Sequence, residues 1–393
     1  MNRMKNKPFN LAKSFLLGAA SSAHQVEGNN TNSDWWHFEQ TNKLPRSGQA
    51  AGHYNRYAED FSLAKNIGLN SMRISIEWAR IEPSDGVWDM KAVEHYRTVL
   101  KEMKQNNLVR MVTLHHYTLP QWIAQKKGFH NKKNIKFFKR YCSFIAEQLG
   151  DEIDLWITIN EPEVFTLMSS LVGIWPPFKK NPWQAWKLFN NLALAHKQAY
   201  KAIKQVRPKA QISVAKNNVY SIPFKNNWLD KTLVTFNNWF GNYWFLNKIE
   251  DELDFIGLNY YFYHSLHLSW SGVSRENLKA PKSNMGWRTY PKGIYYLALD
   301  LHKRYDRPIY ITENGIANAS DPMRQDFIRE HLFWISHANN HGADIRGYFY
   351  WSLTDTYEWS DGFDPKFGLI EVNFETQKRT IRPSSNIIKQ IRN

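Results

Sequence analysis

The 393-residue chain contains one cysteine, Cys142, so no disulfide can form within it and a disulfide-stapled scaffold is excluded. Equally missing is any uninterrupted apolar run of ~18 residues, the length a membrane-spanning helix needs. No zinc-finger spacing or Gly-rich phosphate loop occurs, so zinc and nucleotide chemistry have no support in the sequence. Negative charge is scarce as well: 36 Asp and Glu stand against 51 Lys and Arg, a formal net charge of +15.

That excess is concentrated in residues 103–229, where 19 Lys or Arg face six Asp or Glu. A basic face can attract nucleic acid or an anionic surface. Without an accompanying nucleic-acid motif, a solvated face of Lys-rich outer helices is the expected reading, with no nucleic-acid or membrane partner. Cys142 shares three- and four-residue spacing with Ile135, Phe138, Ile145 and Leu149, which predicts a helix with a buried, inert thiol. Arg3, Lys5, Lys7 and Lys13 precede a six-residue apolar run from Phe15. That run is shorter than the ~7–15 residues of a secretory signal, so a buried first strand and a cytoplasmic location are expected.

What the chain does have is apolar and aromatic bulk, 42% and 15%, enough for a large core. Eight short runs, each too brief for a helix, recur at 15–23, 71–78, 109–116, 154–162, 211–218, 254–261, 308–315 and 345–353. Helical stretches separate them, including 54–67, 90–106, 134–149, 182–206 and 290–304. Near-continuous apolar strands alternating with helices imply a parallel sheet covered by helices. Eight of them predict a closed (β/α)8 barrel, a TIM barrel, formed as a single domain over 1–393. An open doubly wound sheet is the second choice, but its Gly-x-Gly-x-x-Gly turn is absent after the first strand.

Polar residues gather where these strands end: Arg73 and Glu77, His115 and His116, Asn160 and Glu161, Asn259 to Tyr261, Glu313 and Asn314, and Trp351. In a βα barrel those ends form the catalytic face. Glu161 and Glu313 end the fourth and seventh strands, so both can point into one pocket from different sides. Glycoside cleavage uses such a pair, one carboxyl protonating the leaving oxygen while the other attacks the anomeric carbon. Adjacent strand residues face opposite ways, so His115 and His116 are not a metal-ligand pair, and no metal or other cofactor is expected.

Seven motifs, in order, resemble glycoside hydrolase family 1: Gln25-Val-Glu-Gly, Met72-Arg-Ile-Ser-Ile-Glu-Trp, Leu114-His-His-Tyr-Thr-Leu-Pro, Thr158-Ile-Asn-Glu-Pro, Gly257-Leu-Asn-Tyr-Tyr, Ile311-Thr-Glu-Asn-Gly and Tyr350-Trp-Ser-Leu. The resemblance implies a β-glucosidase-like retaining enzyme acting on small β-glycosides or short oligosaccharides. It implies Glu313 as an ionised nucleophile supported by Arg73 and Tyr261, and Glu161 as the acid/base. Asn160 looks like the holder of the sugar 2-hydroxyl, and Gln25, His116, Glu358 and Trp359 like the grip on the other hydroxyls. Trp351 looks like the floor under the sugar, after a cis Trp351–Ser352 peptide, and Trp287 resembles a wall of the leaving-group subsite. Three departures stand out: Tyr117 where the family usually has Trp, Glu163 where an apolar or amide side chain is commoner, and a shortened connection of 35 residues between Asn218 and Asp254. Two alternatives stay open. One is a 6-phospho-β-glycosidase, disfavoured because Glu358 would set a carboxylate near O6 while Pro365 and Phe367 stand where phosphate donors would be expected. The other is a catalytically silent sugar-binding or anionic-surface-binding protein on the same barrel.

Overall fold

The computed structural model describes residues 9–41, 44–269, 272–275 and 282–392; Arg3, Lys5 and Lys7 lie outside the described residues. Eight parallel strands close a barrel. They are β1 (Leu16–Ala20), β2 (Ser71–Ser75), β3 (Val109–His115), β4 (Leu155–Asn160), β5 (Gln211–Asn217), β6 (Ile256–Asn259), β7 (Ile309–Asn314) and β8 (Ile345–Trp351). Each falls within one of the eight expected runs. β1 closes the ring between β2 and β8, with Ala20 opposite both Arg73 and Trp351. Glu313 pairs with Asn259 and Asn160 with Ala215, so the polar strand ends lie level around one rim.

Two apolar layers follow from the side-chain alternation of the strands. Ala20, Met111, Ile157, Ala215, Phe349 and Trp351 belong to one buried cluster, whereas Met72, Val112, Ile159, Val214 and Leu258 pack in the larger one together with the helices. The strand-to-strand fit leaves no space at Gly257, where a Cβ would lie 2.3 Å from the Val214 carbonyl oxygen. Outer helices run over His53–Ile67, Met90–Gln105, Ile135–Leu149, Pro182–Val206, Lys292–Tyr305 and Arg324–Asn339. Their starts are satisfied locally: the Asp89 carboxylate accepts from Lys91 and Ala92 N–H, and the Asn181 side chain accepts from Gln184 N–H ahead of Pro182. Cys142 is fully buried in its helix, and that burial pushes the thiol well above its ordinary pKa.

The segment between β5 and β6 is more structured than its shortness suggests. It forms a strand (Tyr220–Pro223), a helix (Trp228–Asn238), a π-helical turn (Trp239–Tyr243) and a short helix (Trp244–Lys248). The basic stretch is also less bare than its composition implies. Lys126 and Arg140 reach Asp85, Lys197 reaches Glu252, Lys204 reaches Asp254, and Arg110 meets Glu152 and Asp154. One lysine departs from the solvated-face expectation entirely, because Lys216 is buried on β5. Among the described residues no helix is long and apolar enough to cross a membrane.

Candidate active site

Arg73, His116, Asn160, Glu161, Tyr261, Glu313 and Trp351 lie in the strands or just beyond their ends, and Gln25, Trp287, Glu358 and Trp359 lie on the segments that follow them. Glu161 follows β4 directly and precedes Pro162, the first residue of the short helix Pro162–Thr166. Its backbone is left-handed (φ 38°), a conformation costing of order 1–3 kcal/mol in a non-glycine residue and concentrated at functional sites. The Glu161 N–H donates to the Ala215 carbonyl on β5 (2.7 Å), which holds that turn in place. Tyr117 (φ 73°) and Trp359 (φ 54°) are left-handed as well.

A single donor chain links the two glutamates. The buried Arg73 guanidinium donates to Glu313 Oε1 (2.6 Å), the Thr312 carbonyl (3.1 Å), Thr113 Oγ1 (3.0 Å) and Asn160 Oδ1 (2.7 Å). Tyr261 Oη donates to Glu313 Oε2 (2.8 Å). Asn259, oriented by a hydrogen bond from Thr312 Oγ1 (2.6 Å), donates to Glu161 Oε1 (2.9 Å). Asn217 donates to the same oxygen (3.1 Å), while Tyr117 Oη donates to Glu161 Oε2. Tyr117 therefore uses a hydroxyl on the acid/base candidate in the place where the family usually has an indole.

Arginine offers only donors, so Asn160 must turn its oxygen to Arg73 and its amide nitrogen to His116 Nε2 (3.2 Å). That fixes the tautomer. Burial, aided by the Arg73 charge, holds His116 neutral with a pKa well below the usual range. Nε2 accepts, leaving the proton on Nδ1, which is buried and has no hydrogen-bond partner among the described residues. His115 faces away, packing edge-on against Phe129 (5.1 Å) and Phe165 (5.4 Å).

The apolar floor is equally specified. Trp351 stacks beside His116 (5.8 Å, 20° between planes) and its Nε1 donates to Glu358 Oε1 (3.2 Å). The Trp351–Ser352 peptide is cis, as the family resemblance implied. Trp359 lies against Trp35 (4.7 Å) and Tyr117 (5.3 Å), and Gln25 donates to the Tyr357 carbonyl (2.8 Å). Trp287 packs near Tyr261 (5.5 Å), Phe262 (5.3 Å) and Phe367 (6.1 Å).

Burial dominates the electrostatics. Glu313 is raised to about 7 by desolvation; the Arg73 charge opposes this, the neighbouring Glu161 adds to it, and the Tyr261 and Arg73 hydrogen bonds lower it. Burial raises Glu358 to about 8 against the hydrogen bonds from Thr356 and Trp351. Burial thus weakens the carboxylate charge expected at Glu358 near neutral pH, and with it the repulsion against a phosphate there. Two further charged residues sit beside the pair. Glu163 is raised to about 7, chiefly by burial, and lies 3.2 Å from Lys216 Nζ. Its Oε1 accepts from Asn217 N–H (2.6 Å), the residue whose side chain holds Glu161. Sequence reasoning noticed Tyr117 and Glu163 only as departures and missed Asn217 and Lys216, which carry no motif of their own.

A closed parallel barrel with two glutamates on its strand-end rim is the architecture of a retaining β-glycosidase. The chain belongs to Glycosyl hydrolase family 1, whose sequence model matches residues 7–249 and 246–393. It is 31% identical over 431 aligned positions to a 1,4-beta-D-glucan glucohydrolase of Thermotoga neapolitana, covering 95% of this chain and 97% of that protein. A solved beta-glycosidase from Pyrococcus horikoshii superposes with a TM-score of 0.93 at 37% identity, over 98% of this chain and 95% of the other. The beta-glucosidase from Thermotoga maritima in complex with glucoimidazole gives 0.92 at 29% identity, over 98% and 99%.

Proposed function

We propose that the chain, as one catalytic domain over 1–393, removes the non-reducing terminal β-linked sugar from small neutral glycosides, with Glu313 as nucleophile and Glu161 as acid/base. The observation that carries the assignment is the asymmetry of the pair. Glu313 is the carboxyl held by a buried guanidinium and a phenol, the partners that stabilise negative charge. Glu161 is met only by the neutral donors of Tyr117, Asn217 and Asn259, with no cation paired to it among the described residues. In the first step Glu313 attacks the anomeric carbon while Glu161 protonates the departing oxygen. In the second, Glu161 takes a proton from water, which displaces Glu313 and restores the sugar's configuration. Asn160 keeps one amide hydrogen beyond its contact with His116, free for the 2-hydroxyl. His116 and Glu358 stand beside the other hydroxyls, and Trp351 forms the apolar floor beneath the ring. Gln25 and Trp359 complete the grip, and Trp287 bounds the leaving-group side. The unpaired, buried thiol suits a cytoplasmic enzyme.

A neutral substrate is favoured because Pro365 and Phe367 stand on the Glu358 loop where phosphate donors would be expected. Pro365 and Phe367 are buried, and the Lys366 ammonium sits over the Phe374 ring at 4.6 Å. Turnover of 4-nitrophenyl β-glucoside, β-galactoside and β-fucoside tests the assignment beside β-glucoside 6-phosphate. The neutral sugars should react at least tenfold faster, and a preference for the phosphate would overturn the neutral-sugar reading.

The pair also sets the pH profile. Only the state with one proton on the two carboxyls contains both acid and nucleophile. Burial and the neighbouring Glu161 raise Glu313, so the pair as a unit keeps its last proton to higher pH than an isolated carboxyl, and kcat/KM should fall on the alkaline side as that proton leaves. Tyr117→Phe removes a donor that favours the doubly ionised pair, so the alkaline fall should move to higher pH, with kcat reduced roughly tenfold or less. An unmoved limb in that variant would detach Tyr117 from the proton.

A further inference from the structure

Beside the acid/base candidate stands an ion pair that the two steps at the sugar leave unused. Lys216 is fully buried on β5. Its Nζ donates to the Asn217 carbonyl (2.6 Å) and to the Gly241 carbonyl in the π-helical turn (2.7 Å), and it lies 3.2 Å from Glu163 Oε1. Three acceptors around one nitrogen match the three hydrogens of an ammonium, so the geometry calls for the charged form. Glu163 Oε1 also accepts from the Asn217 N–H (2.6 Å), while its buried Oε2 has no hydrogen-bond partner among the described residues. Asn217 is thus gripped at its N–H by Glu163 and at its carbonyl by Lys216. Its side chain, held between them, donates to Glu161 Oε1 (3.1 Å).

A buried ammonium this close to Glu161 favours the ionised carboxyl, and so opposes the proton that the first step needs. Glu163 supplies the cancelling charge. Burial pushes Glu163 up to about 7 and Lys216 down, and the charge of each partner pulls the other back. The remaining titratable groups around the pair come from other elements. Glu161 is faced by Glu313 on β7, Tyr117 beyond β3 and Tyr261 beyond β6, and Glu163 is faced by Tyr117 and by His264 of the strand Tyr263–Ser269. Lys216 is the one ammonium in this set. We propose, on the basis of the glycosidase reading above, that Glu163 is a positioning residue for the acid/base. It neutralises Lys216 and fixes Asn217, so that Glu161 keeps its proton until the departing oxygen takes it.

The test is the pH dependence of kcat/KM for phenyl β-glucoside, whose leaving group needs the proton, beside 2,4-dinitrophenyl β-glucoside, whose leaving group does not. Glu163→Gln keeps an oxygen for the Asn217 N–H and leaves Lys216 uncompensated. Its alkaline limb should move to lower pH by about one unit, at the low end of what an opposite charge nearby imposes on a carboxyl. On that limb the phenyl glucoside should lose about tenfold and the dinitrophenyl glucoside no more than about twofold. Adding Lys216→Met removes the cation as well, and the limb of the double variant should return toward its original place. A purely structural pair behaves differently. A limb unmoved by Glu163→Gln, equal losses for the two glucosides, or a double variant whose limb stays with that of the single one would each overturn the proposal and leave the glycosidase reading standing. Should Glu163→Gln melt far below the unaltered protein, Glu163→Met removes the same charge and must move the limb in the same direction. Failure of the unaltered protein to turn over either glucoside overturns the glycosidase reading instead.

Discussion

Replacing Glu313 by alanine should lower kcat/KM by a factor on the order of 10⁶, the scale seen when a covalent nucleophile is deleted. At 1.36 kcal/mol per decade this amounts to about 8 kcal/mol of lost transition-state stabilisation. The loss is large because no other carboxylate can replace it: Arg73 and Tyr261 are committed to that position, and Glu161 serves the opposite role. Alanine also strands the Arg73 guanidinium, which is only 1% exposed, so instability could mimic inactivity. Glu313→Gln separates the two effects by keeping an oxygen for Arg73, and it should be as inactive while melting close to the unaltered protein. With azide added to the alanine variant, the anion would enter from the vacated face and give a glycosyl azide of inverted configuration. A Glu313→Gln enzyme that retained a tenth of its activity would remove Glu313 from the reaction.

Glu161→Ala should cost on the order of 10²–10⁴-fold, because proton transfer contributes that much and the nucleophile survives. The deficit should depend on the leaving group. A 2,4-dinitrophenolate departs without protonation, so its glycoside should still form the covalent intermediate and then stall. Azide would relieve the stall by attacking that intermediate, giving product of retained configuration, the opposite outcome to the Glu313 variant. The two product configurations distinguish the two roles from one sequence of experiments. Equal losses for dinitrophenyl and alkyl glycosides would show that Glu161 is not the acid.

The barrel was legible because each strand is a short, dense apolar run bounded by breaks, and eight such runs were countable before any contact was known. The catalytic pair was legible for a different reason: Thr-Ile-Asn-Glu-Pro and Ile-Thr-Glu-Asn-Gly set both glutamates at strand ends. Asn217 was not, since its contact with Glu161 spans 56 residues and exists only through the β4–β5 register. Lys216 was hidden in a basic stretch whose other members are mostly at the surface, and only the fold reveals Glu163 as its partner. The helix Trp228–Asn238 went unread although Leu229, Leu233 and Phe236 repeat at helical spacing; Leu229 and Phe236 face water (39% and 59% exposed), so that stripe marks no core.

The position of β1 between β2 and β8 has a consequence for biosynthesis. Trp351 leaves the ribosome about 330 residues after its partner Ala20; at about 5–20 residues per second, roughly 17–66 s separate them. Throughout that interval one edge of β1 lacks its neighbour, and the floor under the sugar does not yet exist. A glycoside present in the cell can stabilise only the finished barrel, because ligand binding favours the state that holds the complete site. The nascent chain must therefore reach β8 on its own packing, with protection of the open edge left to chaperones or to the helices already docked.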